Sequence, residues 1–275
     1  MAATPPGADV IESFGVEVGT PELLPGGQRR SWLVGDAVFK PVDDITEHAW
    51  VSEVFSVWDP AAGVRVPAPL RSSEDRWCWE GWAAHRYVVG RPLRMSGEAN
   101  IIRAAAESFH AAVAALPRAS FLDSRDDPWA FGDRVAWEGR PAVGSPETIE
   151  LVEALLASYR GLEARRQMVH GDIGGNVLGG DGLRPAVIDW PPYWRPSGWA
   201  LAVAAFDAVC WEGVTPPFLD EWADVADWDQ VLLRAAVYRL ATVGRTERDG
   251  YPRMPPAAHA AEVRPAVDAV LRRAR

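Results

Sequence analysis

The sequence predicts an α+β protein whose short strands lie mainly in the first third of the chain and whose helices lie mainly in the rest. Residues 31–34 and 37–40 are apolar runs separated by a Gly-Asp pair, which is typical of two strands joined by a tight turn. Residues 101–116 carry apolar side chains at helical spacing and predict a long helix. Residues 169–190 contain two further apolar runs around a Gly-Asp-Gly turn, which predicts a hairpin. At 275 residues the chain can form one large domain or two smaller lobes.

The N-terminal third reads as a series of strands. Residues 1–22 are rich in Pro, Gly and acids, which predicts a loose lead-in with one short strand near residues 16–18. From residue 23 the pattern is strand, glycine turn at residues 25–28, strand, tight turn, strand. The third strand ends at Lys40, the only lysine in the chain. A single lysine in a chain that otherwise uses arginine indicates a need for a compact ammonium group, which a planar guanidinium does not replace. The alternative is that this lysine is present by chance.

A helix is predicted over residues 44–58, because its apolar residues recur at helical spacing. Asp44 or Thr46 can cap its start. Glu47 shares the apolar stripe that faces inward, whereas Glu53 lies at the margin of that stripe. Glu47 is therefore the preferred inward-facing acid of this helix, and Glu53 is the alternative. A solvated helix acid is the competing interpretation for both.

Three polar side chains mark the hairpin at residues 169–190: Asp172, Asn176 and Asp189. A carboxylate can orient an attacking hydroxyl and accept its proton, while an Asn and a second Asp supply the oxygen ligands that magnesium prefers. The trio therefore indicates phosphoryl transfer. The alternative is an ordinary hairpin whose loop carries polar residues by chance.

The pattern His170-Gly171-Asp172, Asn176 and Ile188-Asp189 resembles the signature of the aminoglycoside phosphotransferase and choline kinase-like families, which are small-molecule kinases with a protein-kinase-like fold. The resemblance extends over residues 24–209. It implies two lobes: a small β-rich N-terminal lobe, residues 1–88, with about five strands and one helix, and a mainly helical C-terminal lobe, residues 89–275.

The resemblance implies that Asp172 is the catalytic carboxylate and that Asn176 and Asp189 hold magnesium. One departure stands out. The family places its Asn five residues after the catalytic Asp, whereas Asn176 is only four residues after Asp172. Gly174 and Gly175 offer unusual backbone conformations that would let a shorter loop reach the same position.

Nucleotide contacts are also implied by the resemblance. Lys40 would pair with the α- and β-phosphates of ATP or GTP, and Glu47 would hold the lysine in place. Residues 81–93 look like the segment that joins the lobes in the family. Backbone groups at Arg86, Tyr87 and Val88 would then receive the adenine ring.

The remaining segments are predicted mostly from periodicity and breaker residues. Strands are expected near residues 70–72 and 76–79, an irregular loop at residues 117–146, and further helices at residues 146–166, 217–228, 231–243 and 256–275. His110, in the helix at residues 101–116, is interpreted as a core histidine rather than a catalytic base. Tyr193, Trp194 and Arg195 are interpreted either as lining a substrate pocket or as core residues.

Two features of the C-terminal half bear on the acceptor. The family often carries an Asp soon after its metal-binding Asp, where this chain has Ser197 and Gly198, so that only Asp207 remains in the following helix. Residues 220–229 contain five acids, which could receive a cationic substrate. A solvated acidic face is the more ordinary interpretation of such a run.

Composition excludes several function classes. A formal charge of -10 and a pI near 5.0 disfavour nucleic-acid and anionic-membrane partners, because both need a basic face. Cys78 and Cys210 are far apart and suggest neither a zinc site nor a disulfide framework. The first residues lack the pattern of a signal peptide, and the longest apolar stretch, residues 199–211, is too short to span a bilayer. A cytoplasmic protein is therefore expected.

These observations predict a magnesium-assisted phosphotransferase that moves the γ-phosphoryl group of ATP or GTP to a hydroxyl of a small molecule, with a cationic acceptor compatible with the acidity of the chain. The alternative is a degenerate kinase fold that binds nucleotide or a partner without catalysis, suggested by the short loop and by Ser197. A metal-dependent hydrolase using His170, Asp172 and Asp189 is weaker, since no further histidine lies at ligand spacing.

Overall fold

The structure is a computed structural model that describes residues 4–25 and 29–275. Its contacts divide the chain into two units. The first comprises Met1–Arg91 and Leu178–Ile188, and the second comprises Pro92–Val177 and Asp189–Arg275. The lobe boundary expected after residue 88 stays a prediction, and the contacts add to the first unit a segment that lies far along the sequence.

The part of the first unit before residue 91 contains a five-stranded antiparallel sheet and two helices. Its strand order is β1-β2-β3-β5-β4. In chain order the elements are helix α1 (Ala8–Ser13), strands β1 (Glu22–Leu23), β2 (Trp32–Val34) and β3 (Ala37–Pro41), helix α2 (Ile45–Ser56), and strands β4 (Pro69–Leu70) and β5 (Trp82–Arg86). The strands expected at residues 70–72 and 76–79 are shorter than predicted, since the second reduces to a bridge between Trp79 and Trp82.

Helix α1 occupies the segment for which a loose lead-in with a strand near residues 16–18 was predicted, so that prediction is wrong. Its Val10 and Ile11, with Phe14 just beyond, belong to the same buried cluster as Phe39 of the sheet. The rings of Phe14 and Phe39 meet edge to face at 5.9 Å. A helix of six residues is not stable from its own propensity, so this packing against the sheet stabilises it.

Strand β3 carries the lysine as the sequence predicted. Gly35 adopts φ +58° in the tight turn between β2 and β3, a conformation that favours glycine. The register pairs Lys40 with Ala83 of β5, so that Lys40 lies near the end of a paired strand. Of the glycine turn predicted at residues 25–28, residues 26–28 lie outside the described residues.

The rest of the chain is mostly helical. In order it adds strand β6 (Arg91–Pro92), helices α3 (Met95–Val113), α4 (Pro128–Glu138) and α5 (Pro146–Leu156), strands β7 (Gln167–His170), β8 (Val177–Gly180), β9 (Leu183–Val187) and β10 (Pro192–Arg195), and helices α6 (Ser197–Trp211), α7 (Trp228–Arg248) and α8 (Pro256–Arg273). Strands β8 and β9 form a hairpin within the one predicted at residues 169–190, with Gly182 at φ +71° in its turn, whereas β7 pairs with β10 and not with this hairpin. The α+β prediction is confirmed.

Helix α4 lies within residues 117–146, where an irregular loop was predicted, and the prediction is wrong there. Pro128 is at the first position of the helix, and Asp127 accepts a hydrogen bond from the N–H of Ala130 at 2.9 Å. Gly139 ends the helix in a left-handed conformation. The residues that start and end this helix can be recognised in the sequence. The helical period between them is short and lies among Pro, Gly and Asp residues, which favour a loop.

Two other predicted helices differ in extent. The helix expected at residues 146–166 ends at residue 156. The helix expected at residues 217–228 is a short 3-10 segment, Pro216–Asp220, followed by turns, and α7 begins only at Trp228. None of the helices within residues 4–25 and 29–275 has both the length and the apolar character that a membrane crossing needs.

Candidate phosphotransfer site

Strands β7 and β10 bring the two predicted carboxylates to the same end of a strand pair. The antiparallel register pairs His170 with Pro192, and the N–H of Gly171 donates to the carbonyl of Pro191 at 3.0 Å. Asp172 leaves the end of β7 just beyond this point, and Asp189 approaches the start of β10 from the same end. The second unit therefore carries both carboxylates on adjacent loops.

Two buried histidines hold the loop that follows β7. The Nδ1 atom of His170 accepts the N–H of Asp172 at 3.1 Å, and the N–H of His170 donates to Nε2 of His110 at 3.1 Å. Each acceptor nitrogen must be unprotonated, so both imidazoles are neutral and their tautomers follow from these bonds. Burial, with a smaller contribution from His170, lowers the pKa of His110 to about 3. His110 is thus a core residue that supports the loop.

The side-chain amide of Asn176 turns back on Asp172. Its Nδ2 atom donates to the backbone carbonyl of Asp172 at 2.6 Å and lies 3.4 Å from Oδ2 of the carboxylate. With Nδ2 used in this way, the carbonyl oxygen of the amide is the atom left to bind a metal. The loop with one residue fewer than the family pattern therefore still brings Asn176 against Asp172.

A tight turn, rather than unusual glycine conformations, makes this short loop possible. The N–H of Asn176 donates to the carbonyl of Ile173 at 3.1 Å. Neither Gly174 nor Gly175 has a positive φ, so the expectation that glycine freedom closes the loop is wrong. A Cβ atom at position 174 would lie 3.1 Å from the Cβ of Ala204 in α6. Gly174 is instead useful because the loop approaches α6 closely.

Asp189 has an unusual backbone conformation. Its φ of +52° lies in the left-handed region, which non-glycine residues rarely adopt and which commonly marks functional sites. The next residue, Trp190, is buried: its indole Nε1 donates to the carbonyl of Val169 at 3.0 Å, and its ring packs against Phe109 at 5.0 Å. Trp190 thus anchors the backbone immediately after Asp189.

An arginine that sequence reasoning missed binds the predicted catalytic carboxylate. The Nη2 atom of Arg239, in α7, donates to Oδ1 of Asp172 at 2.5 Å. Its Nε atom lies 2.9 and 3.0 Å from the two carboxylate oxygens of Asp207 in α6, and Nη2 also donates to Asp207. The only sequence signal is a cation inside the apolar run at residues 235–241.

Burial and charge oppose each other in this cluster. Burial alone would lower the pKa of Arg239, but the carboxylates of Asp207 and Asp172 outweigh it and raise that pKa. Burial raises the pKa of Asp207 to about 6, and the guanidinium of Arg239 limits the rise. The side chain of Arg239 is only 11% exposed, whereas that of Asp172 is 49% exposed. Arg239 therefore links a buried acid to an acid that solvent can reach.

In the first unit, the two candidate partners of Lys40 have different surroundings. Glu53 accepts a hydrogen bond from the indole Nε1 of Trp77 at 3.0 Å and pairs with Arg71 at 3.4 Å. His48 lies close enough to Lys40 that, after burial, the lysine charge also contributes to lowering its pKa. Glu47 precedes His48 on α2, so this part of the helix is near the lysine while Glu53 has other partners.

The three predicted adenine-contacting residues differ in what their backbone offers. The N–H of Arg86 donates to the carbonyl of Ala68 at 2.8 Å, and the N–H of Tyr87 donates to the carbonyl of Asp36 at 2.8 Å. The guanidinium of Arg86 also binds the carboxylate of Asp36 at 2.7 Å. No hydrogen bond among the described residues uses the N–H of Val88. Val88 therefore has the backbone donor that a ligand could take.

The residues after Asp189 line a cavity of about 380 Å³ in the second unit. Tyr193, Trp194 and Arg195 all contribute to its wall. Arg195 is buried and binds the carboxylate of Asp133 at 2.5 and 2.8 Å. The Tyr193 hydroxyl lies 3.2 Å from that of Tyr238. Tyr193 and Arg195 are thus buried and Trp194 is partly buried, while their role in a substrate pocket stays a prediction. None of the predicted catalytic trio borders the cavity.

Four of the five acids at residues 220–229 have partners within the protein. The pairs and hydrogen bonds are Asp220 and Asp229 with Arg273, Asp224 with Arg103, and Asp227 with the N–H groups of Glu163 and Ala164. These contacts connect neighbouring segments of the second unit. These four acids therefore have a structural role, and their carboxylates are already paired rather than available to a cationic substrate.

No group of three or more His, Cys, Asp and Glu side chains within residues 4–25 and 29–275 is arranged to hold a metal ion. Magnesium in nucleotide sites needs fewer protein ligands, because phosphate oxygens and water complete its coordination. An Asp and an Asn are hard oxygen donors of the kind magnesium prefers. The residues that the sequence assigned to the metal therefore suit magnesium.

The strand-borne lysine, the helix beside it and the mostly helical unit with its His-Gly-Asp loop define a protein-kinase-like α+β fold. Three solved structures share it: aminoglycoside phosphotransferase APH(4)-Ia (19% identity, 95% of this chain and 96% of that chain, TM-score 0.60), choline kinase LicA from Streptococcus pneumoniae (17%, 94% and 95%, 0.58), and a putative fructosamine-3-kinase from Thermobifida fusca (20%, 96% and 98%, 0.50).

The fold prediction is thereby confirmed across nearly the whole chain. A thermostable APH(4)-Ia mutant of the same fold has been determined with AMP-PNP and hygromycin B, and LicA has been determined with AMP. The sequence matches no protein-family model and no curated protein. At these identities the likeness is one of fold.

Proposed function

We propose that this protein is a small-molecule kinase, which transfers the γ-phosphoryl group of ATP or GTP to a hydroxyl with the help of magnesium. The observation that carries the proposal is the arrangement around Asp172, where a solvent-accessible carboxylate is contacted by the amide of Asn176 on a loop set by buried histidines. The shared fold with aminoglycoside, choline and fructosamine kinases supports it.

Asp172 orients the acceptor hydroxyl and takes its proton. Because Oδ1 is bonded to Arg239, Oδ2 is the oxygen available to the acceptor. The acceptor oxygen forms a bond to the γ-phosphorus while the bond to the bridging oxygen breaks, and the electron pair of that bond leaves with the nucleoside diphosphate. The proton of the hydroxyl passes to Asp172. Positioning and charge neutralisation provide most of the acceleration in such reactions.

Asn176 and Asp189 would hold magnesium, which neutralises phosphate charge when bound. The carbonyl oxygen of Asn176 is directed to this task because its Nδ2 is committed to Asp172. Asp189 contributes a carboxylate from a backbone position that adjoins the buried Trp190. Both are hard oxygen donors, as the metal requires.

The first unit carries further residues that we propose as nucleotide contacts. Lys40 steadies the α- and β-phosphates, and Glu47 holds the lysine, since Glu53 is engaged by Trp77 and Arg71. In the segment Arg86, Tyr87 and Val88, the N–H of Val88 is the donor available to the base. The exposed ring of Tyr87 provides an apolar surface beside it.

Calorimetric titration of ATP and GTP, with and without magnesium, tests the nucleotide site. The wild type is expected to bind in a magnesium-dependent manner, and Asp189→Ala is expected to lose at least about tenfold in affinity, equivalent to about 1.4 kcal/mol. Asp181→Ala is the matched control, because Asp181 is an exposed acid in the turn of the neighbouring hairpin. Failure of the wild type to bind either nucleotide, or equal affinity in the two variants, would refute the assignment.

Release of ADP across a library of hydroxyl compounds tests the reaction itself. Asp172→Asn is expected to reduce turnover by about 100-fold or more, because it removes a general base, while nucleotide binding is kept. The alternative, a degenerate kinase fold, predicts nucleotide binding by the wild type without transfer to any acceptor or to water. The same two measurements therefore separate the two proposals.

A further inference from the structure

Arg239 is the buried charged group that the proposed reaction does not yet explain. We propose that Arg239 is a positioning residue of the phosphotransfer site, which holds Asp172 in its working orientation, and that Asp207 acts through Arg239 as its anchor. The inference rests on the proposed function and adds two residues to it. Neither belongs to the motif from which the site was recognised.

The guanidinium of Arg239 is held by Asp207 as well as by Asp172. Nε of Arg239 donates to both carboxylate oxygens of Asp207, and Nη2 donates to the same carboxylate, so two adjacent nitrogens on one edge of the guanidinium hold its plane. Arginine provides a rigid planar fork for such contacts, which a lysine ammonium does not. Asp207 and Arg239 lie on the neighbouring helices α6 and α7, whose side chains around them are largely buried. The pair is therefore a rigid platform.

Asp172, in contrast, is half exposed on a loop. Without a partner its carboxylate would sample several rotamers in solvent. The bond from Nη2 to Oδ1 at 2.5 Å selects one of them. The other oxygen, Oδ2, then lies beside the amide of Asn176 at 3.4 Å and stays available to the acceptor hydroxyl. Oδ1 of Asp172 thus holds the orientation of the side chain, and Oδ2 accepts the proton of the acceptor hydroxyl.

This arrangement gives Asp207 a defined role. The sequence lacks the acid that the resembled family often carries near residue 197, and Asp207 is the acid that remains in the helix. Its carboxylate makes no hydrogen bond to Asp172 or to Asn176 among the described residues, and its bonds run to Arg239. Among the described residues, Asp207 is therefore connected to Asp172 by hydrogen bonds through the arginine.

The test compares kcat and KM for ATP in the wild type, in Arg239→Lys and in the double variant Arg239→Met with Asp207→Asn. The double variant removes both charges, so that no unpaired carboxylate is left buried beside α7. Arg245→Met is the matched control: Arg245 is on the same helix, its side chain is 15% exposed, and it also binds an acid, Asp249, at 2.6 Å.

A misplaced catalytic group lowers turnover without weakening nucleotide binding. The double variant is therefore expected to lose about 100-fold in kcat while KM for ATP changes by less than about threefold. Arg239→Lys is expected to lose less than the double variant, because it keeps a cation beside Asp172. Arg245→Met is expected to keep kcat within about twofold, because it does not touch the site.

Amide hydrogen exchange of residues 171–176 provides a readout that does not depend on turnover. Faster exchange of this loop in the double variant than in Arg245→Met is expected, because the loop loses its anchor. If the wild type transferred phosphate and the double variant kept its kcat within about twofold, the inference would be wrong while the proposed function stood. If the wild type transferred no phosphate, the proposed function would fail, and equal loop exchange in both variants would overturn the anchoring as well.

Discussion

Lowering the pH from 7 to 5 is expected to reduce the free energy of unfolding by about 2 kcal/mol through His110 alone. His110 is only 3% exposed, and its Nε2 accepts the N–H of His170. A protonated imidazole could not accept this hydrogen bond, and its charge would be buried without a carboxylate partner. The folded protein therefore keeps His110 neutral.

The sign and size follow from the two protonation equilibria. Burial lowers the pKa of His110 from 6.5 to about 3 in the folded state, while the unfolded chain takes up a proton at the ordinary value. The neutral histidine contributes fully to stability above pH 6.5, and that contribution is lost progressively as the pH falls toward 3. At pH 5, one and a half pH units below the ordinary pKa, the loss is about 2 kcal/mol, at 1.36 kcal/mol per unit.

Urea unfolding at pH 7, 6 and 5 checks this value when the wild type is compared with His110→Gln. A glutamine amide can accept the same N–H but does not titrate, so the variant is expected to lose about 2 kcal/mol less over this range. Gln167→Met is the control. It removes a 2.7 Å hydrogen bond to the carbonyl of His110 without removing the imidazole, and should lower stability while keeping the pH dependence. Equal pH dependence in the wild type and His110→Gln would refute the reasoning.

Two further predictions concern the lysine and the glycine of the site. Glu47→Gln is expected to raise KM for ATP about tenfold, because Lys40 loses the carboxylate that holds it. Glu53→Gln should change KM for ATP by less than about twofold. Steady-state kinetics on both variants measures these values, and a larger effect of Glu53→Gln would contradict the prediction. Gly171→Ala would place a Cβ atom 2.3 Å from two ring carbons of Tyr193. Because Tyr193 is buried, the substitution should cost about 1–3 kcal/mol in urea unfolding, and a second substitution, Tyr193→Leu, should recover part of it; the clash is not the cause if the double variant is no more stable.

Local patterns predicted the elements that carry the reacting groups. The tight turn before β3 and the helical period of α2 placed Lys40 and Glu47 on the correct kinds of element, because alternation, turn residues and caps are all read within about ten residues. Asp44, one of the two proposed caps, accepts hydrogen bonds from the N–H groups of residues 46 and 47. These features depend on neighbours in sequence.

The features that the sequence did not reveal depend on tertiary contacts. Helix α1 is too short to show a period, and its stability comes from the sheet beneath it. The bond between Arg239 and Asp172 joins residues 67 positions apart. In a chain whose basic residues are nearly all arginine, nothing distinguishes Arg239 except its apolar neighbours on α7. Its partner became evident only from the packing of α6 and α7.

The buried cluster also bears on whether the protein is an enzyme or a degenerate kinase fold. Burying an arginine between two acids costs desolvation that well-packed apolar side chains would avoid, so stability alone gives little reason to keep it. The outer carboxylate of this cluster, Asp172, is half exposed and adjoins Asn176. A fold that only bound a nucleotide would not need an oriented base at this position. The arrangement therefore favours an enzyme over a degenerate kinase fold. The kcat of the variant lacking both Arg239 and Asp207 tests this interpretation.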